Sequence, residues 1–149
     1  ILFILFGLLL SSTFSIAQDY KHPYGLVSKE GKITDPKGTV IGSITKDGTI
    51  KDESGNKIAT VNSTGNLVDT KTGKVLGHAP KNGEFIYFNH NGTQNDTLST
   101  SIPMTGTCEV KDKDGKTVLV VHENYKAYGA CAYHCLMMKK HGKKMKMKM

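Results

Sequence analysis

Arginine is absent from this chain of 149 residues; all 20 basic residues are lysines, set against 13 acids. Bidentate recognition of phosphate and guanine is guanidinium chemistry, so the absence argues against a nucleic-acid partner. Acids are missing from the last eleven residues, which hold six of the lysines: Lys139, Lys140, Lys143, Lys144, Lys146 and Lys148. The rest carries 14 lysines against 13 acids, so the net charge of +7 belongs to the tail and the body is nearly neutral. A neutral body has no electrostatic footprint for nucleic acid. Cysteine is scarce, and the three present (Cys108, Cys131, Cys135) are too few for a disulfide scaffold. One disulfide with a free thiol, an intermolecular bridge, and three thiolates on a metal all fit that odd number. No Ser–His–Asp order, paired carboxylates or phosphate loop stands out in the sequence, and we assign no catalytic residue.

Long apolar runs are missing too, with one exception. Ile1 to Leu10 is apolar apart from Gly7, followed by polar Ser11–Ser12–Thr13 and by small residues at Ser15 and Ala17. That order reads as the apolar and cleavage regions of a signal peptide over 1–17, cut before Gln18, in a sequence truncated at its start; a permanent N-terminal anchor is the competing reading. The run is shorter than the roughly 20 residues a spanning helix needs, and no lipid-attachment cysteine follows it. The expectation is export to the periplasm, the cell envelope or the medium, with an extension over 18–24 before the folded region.

What is present is a repeat. Lys32–Ile33–Thr34–Asp35–Pro36–Lys37–Gly38 recurs as Thr49–Ile50–Lys51–Asp52–Glu53–Ser54–Gly55 and, with one insertion, as Asn66–Leu67–Val68–Asp69–Thr70–Lys71–Thr72–Gly73. Glu109–Val110–Lys111–Asp112–Lys113–Asp114–Gly115 is a later copy. Asp35, Asp52 and Asp69 stand 17 residues apart, a period typical of repeat architectures. Asp at the first turn position accepts from the turn backbone, and Gly at the fourth takes positive φ; together they predict three-residue hairpin loops with a glycine bulge. The alternate connections end in Gly31, Gly48, Gly65 and Gly83. Runs of four to seven residues between turns are too short for helices and rich in β-branched residues.

We pair these runs as 32–35 with 39–45, 49–52 with 57–62, 66–69 with 74–79, 84–89 with 97–102 across a loop over 90–96, and 107–112 with 116–122. Ile33, Ile50, Leu67, Phe85 and Val110 hold equivalent apolar positions, and Gly42, Ala59 and Gly77 are small where backbones approach closely. A hairpin alone is marginal in water, and an open sheet leaves two edges, so closure is expected. The predicted fold is all-β: five antiparallel β-hairpins in a closed pseudo-fivefold ring or shallow barrel over 25–122, with a short C-terminal helix.

These Gly-x-Ile-x-Asp-x-x-Gly units from Gly31 to Ala79, with the unit over Cys108–His122, resemble the five-fold β-flower proteins. The resemblance spans about Gly25 to His122 and implies five hairpin petals in an exported or envelope protein of bacteria. It also suggests a loose likeness to tubby-type barrels, which can bind membrane lipids. It supplies no catalytic residues. The fourth unit departs from the pattern, with Tyr87 where an Asp is expected.

Residues 123–138 change character, with Tyr125, Tyr128, Cys131, Tyr133, Leu136, Met137 and Met138 in no strand alternation. A helix apolar on nearly every side is buried and could plug or cap a barrel. On it Cys131 and Cys135 share a face beside His134, a geometry poor for a mutual disulfide but suited to two ligands on one metal. A soft-metal reading takes Cys108, Cys131, His134, Cys135 and His141, with Met145, Met147 and Met149 of the tail, as a set selective for Cu(I) or another soft ion. Against it, Cys and Met in an apolar helix usually mean ordinary packing. The tail over 139–149 has a second reading, in which its six lysines hold the protein on an anionic membrane surface. The third is a solvated, disordered end.

Asp112–Lys113–Asp114–Gly115 lacks the glutamate of a calcium loop and reads as a turn. Asn62, Asn91 and Asn95 open Asn-x-Thr sequons, and His22, His78, His90 and His122 are scattered without ligand spacing. The functional expectation is a non-enzymatic exported β-repeat module, binding or structural, requiring no cofactor, with its protein partner undefined. Soft-metal binding is the alternative.

Overall fold

In the computed structural model, residues 23–79, 84–88 and 94–147 are described. The expected signal peptide over 1–17, most of the expected extension over 18–24, the turn before Gly83 and the tip of the fourth hairpin lie outside them, as do Met149 and Lys148. The strands are β1 (Gly25–Val27), β2 (Lys32–Thr34), β3 (Val40–Ile44), β4 (Thr49–Asp52), β5 (Lys57–Val61) and β6 (Asn66–Asp69). They continue with β7 (Val75–His78), β8 (Glu84–Phe88), β9 (Gln94–Thr100), β10 (Thr107–Lys111) and β11 (Thr117–His122). A 3-10 turn (Glu123–Tyr125) then leads to one helix, α1 (Gly129–Met147). The strands form a closed barrel in chain order.

The turn residues do what their chemistry predicts. In the β2–β3 hairpin the Gly38 N–H donates to the Asp35 carbonyl at 2.9 Å, with Gly38 at φ 82°. The Asp35 carboxylate accepts from the Lys37 and Thr39 N–H groups at 3.0 and 2.9 Å. Asp52 accepts from Ser54 and Asn56, and Asp112 from Asp114 and Lys116, at the same positions. Each of these hairpins carries a register shift just before its turn, the bulge that the glycine accommodates. The equivalent Ile33, Ile50, Leu67, Phe85 and Val110 are all at most 1% exposed and line the core.

Three expectations need correction. The five hairpins are present, but an eleventh strand closes the ring: β1 lies parallel to β11 (Leu26 opposite Val120) and antiparallel to β2 (Val27 opposite Ile33). Three residues are too few to show alternation. The spacing does mark them, because Gly25 precedes the turn glycine Gly31 by the six residues that separate Gly42 from Gly48 and Ala59 from Gly65. In the fourth hairpin β9 begins at Gln94, three residues before the expected Thr97. And the C-terminal helix does not stop at Met138; it starts later, at Gly129, and runs through the lysines to Met147. Lysine and methionine are good helix formers, and cations near a helix C-terminus are favoured by its dipole, so the charge run continues the helix.

The helix fills the barrel. Ala130, Cys131, Ala132, Tyr133 and Leu136 are buried with the inward-facing strand residues in one cluster. Glycines on the walls make room for it. A Cβ at Gly25 would collide with the Tyr133 ring, and one at Gly42 would lie 2.7 Å from a Leu136 methyl. Gly129 itself fits only without a side chain, since a Cβ there would sit 2.5 Å from Val121. On the other wall His134 stacks on Tyr87 of β8, with ring centroids 3.7 Å apart. The segment before the helix lies at the rim of Gly31, where the Tyr125 ring would touch an added Cβ. The helix leaves at the opposite rim, where the aspartate turns are.

Candidate functional site at the aspartate rim

Four of the five hairpins place a turn aspartate (Asp35, Asp52, Asp69 and Asp112) around a single mouth of the barrel, and α1 passes through that mouth with its first lysines. Lys140 forms an ion pair with Asp35, whose carboxylate is only 3% exposed. Burial opposes ionisation of Asp35, yet the Lys140 ammonium and the Thr39 and Lys37 N–H groups outweigh it and hold the carboxyl below its ordinary value. Lys139 lies in the field of two more turns. Asp52 is lowered mainly by the Asn56 N–H and Asp69 mainly by the Thr72 N–H, and Lys139 lowers both further. Beside this mouth a cleft of about 200 Å³ is lined by Thr39, Val40, Ile41, Asp52, Glu53, Leu136, Lys139 and Lys140. Its floor is aliphatic and its rim carries charges of both signs.

Beyond Lys140 the helix leaves the barrel. His141 and Gly142 are exposed, and a Cβ at Gly142 would meet nothing within 4 Å. The helical backbone runs about 10 Å further, to Met147, carrying Lys143, Lys144 and Lys146. Side chains from Lys143 onward, including those of Met145 and Met147, lie outside the described residues. The chain also enters the barrel at this rim, because Leu26 of β1 stands opposite Thr34, the residue before Asp35.

The cysteines are placed otherwise. All three are free thiols. Cys108 faces inward from β10 at 0% exposure, and Cys131 is fully buried on α1, its thiol donating to the Tyr128 carbonyl at 2.9 Å. Burial raises all three; Cys131 is pushed far up and Cys135 to about 11, Lys139 offsetting part of the latter. Thiolate, the form that binds soft metals, is therefore disfavoured at each position. Among the described residues no three His, Cys, Asp or Glu side chains converge as a metal site. His141 is exposed and His134 is engaged with Tyr87.

Sequence reasoning identified Lys139 and Lys140 as basic but missed their partners. Asp35, Asp52 and Asp69 were legible only as turn formers. Their common period was the available signal, since equivalent turns in successive hairpins must share one rim.

Residues 25–82, from β1 through the connection after β7, match a family model described as a protein of unknown function (DUF3659). No curated protein and no solved structure matches the chain.

Proposed function

We propose that the protein is a non-enzymatic binding module of the cell envelope, exported and held on an anionic membrane surface by the basic end of α1. The continuity of α1 carries this reading. A helix anchored in the barrel core by Cys131, Tyr133 and Leu136 continues past the rim into a stretch of lysines with no acid among them. The lysines therefore belong to a projecting helical arm on a nearly neutral body, and attraction to anionic surface is concentrated at one end. Strand direction supports the same end, because the chain after the apolar Ile1–Leu10 segment joins the barrel at this rim. In this reading the hairpin ring, which resembles a β-flower, is the rigid support.

Lys143, Lys144, Lys146 and Lys148 together supply about 4 kcal/mol at an anionic surface, on the order of a thousandfold in partitioning. The test is co-sedimentation of the chain from Gln18 with phosphatidylserine-containing vesicles, comparing it with a variant in which those four lysines are Gln. Binding that falls on substitution and weakens with added salt is expected. Equal sedimentation of both proteins would overturn the reading.

A further inference from the structure

We propose that the aspartate rim is an internal counter-anion that masks Lys139 and Lys140 and so sets how strongly this end of the barrel meets an anionic surface. The inference rests on the surface-binding reading above and concerns its regulation. Its basis is geometric. Lys140 is paired with the nearly inaccessible Asp35, and Lys139 lines the cleft at this mouth. Asp52 and Glu53 line the same cleft as both lysines. An approaching phosphate or carboxylate therefore meets one ammonium group already paired with a carboxylate and a second that shares its cleft with two acids. The stretch beyond His141 contains Lys143, Lys144, Lys146 and Lys148 and no acid of its own. The arm is thus divided into a masked base and a tip that carries the attraction.

The rim can be neutralised without dismantling its turns. Each aspartate accepts turn N–H groups through Oδ1, and asparagine keeps that acceptor. The protein itself supplies the precedent. Asn62 holds its own turn by accepting from the Thr64 and Asn66 N–H groups at 3.1 and 2.9 Å, as Asp52 does from Ser54 and Asn56. The test compares the wild-type chain, the rim variant Asp35→Asn/Asp52→Asn/Asp69→Asn, and a far-rim variant Glu30→Gln/Asp47→Asn/Glu123→Gln. Both variants remove the same charge, so net charge alone cannot separate them. Binding to phosphatidylserine vesicles is titrated at about 0.1 M salt, where fields reach only about 10 Å. A thermal melt checks folding, with Asp52→Asn/Asp69→Asn as the fallback if loss of the buried Asp35 charge unfolds the chain.

The rim variant should bind about fivefold more tightly for each lysine released, while the far-rim variant stays with the wild type. Binding by the rim variant where the wild type binds none would support masking of the base and overturn the tip as the carrier of the attraction. Wild-type binding matched by both variants would overturn masking and leave the surface reading standing. No binding by wild type or rim variant would overturn both.

Discussion

Replacing Leu136 by alanine tests whether α1 belongs to the barrel core. Leu136 is 3% exposed, and the wall it faces is Gly42, which has no side chain with which to close a gap. Burying a leucine and then deleting it to alanine costs about 2–5 kcal/mol, more where the site cannot collapse. Rigid β3 backbone opposite the vacancy places this case in the upper half, about 3–4 kcal/mol. For a domain of this size each kcal/mol moves Tm by about 3–5 °C, so the expected loss is about 9–20 °C. Met138, two residues on, is 55% exposed, and its alanine variant should stay within about 0.5 kcal/mol. Thermal melts followed by circular dichroism at neutral pH give both values. Equal melting of Leu136→Ala and Met138→Ala would refute the claim that the helix is built into the barrel.

Other expectations concern the thiols, the Asp35 pair and the two rims. Cys135 at about 11, with Cys108 and Cys131 also raised by burial, leaves little thiolate near neutrality. Alkylation by iodoacetamide at about pH 8 should therefore run at least about 100-fold slower in native protein than in denaturant; one fast native thiol would contradict the placement. Asp35 titrates in the folded state below its ordinary value of 3.8, so its pairing stabilises fully above that value and is lost as pH falls through the lower folded value. The Tm advantage of wild type over Asp35→Asn should thus be constant near neutrality and shrink below about pH 4; a gap that widens in acid would reverse the sign. Gly31 and Gly55 share φ near +85°, but a Cβ at Gly31 would strike the Ile44 carbonyl and the Tyr125 ring, whereas one at Gly55 meets nothing within 4 Å. Gly55→Ala should cost about 1 kcal/mol and Gly31→Ala about 1–3 kcal/mol more, read by denaturant melts; equal costs would place Tyr125 elsewhere.

The barrel was legible because its turns are written in residues with few alternatives. Asp35, Asp52 and Asp112 with glycine three positions on fix hairpin, bulge and register together, and Ile33, Ile50 and Leu67 then fall inward. β1 was harder, being three residues long and held largely by β11 from the far end of the sequence. Composition misled at Met138, where apolar residues give way to lysines. A change in polarity marks where the helix leaves the core, and it does not mark where the helix ends. The site was hidden for the same reason, since pairing Lys140 with Asp35 depends on a helix crossing a barrel, a contact 105 residues apart in sequence. The sulfur set drew attention through residue type alone. Burial of Cys108 and Cys131, which a ligand reading needs to be modest, follows from the same apolar pattern that made the segment helical.

The most direct test of the account is a chain truncated after His141, which keeps the core-anchored turns of α1 and removes the projecting arm. Its melting temperature should match the full chain within about 3 °C, while sedimentation with phosphatidylserine vesicles at low salt should be lost. Full binding by the truncated, folded protein would contradict the claim that the arm of α1 carries the barrel to an anionic surface.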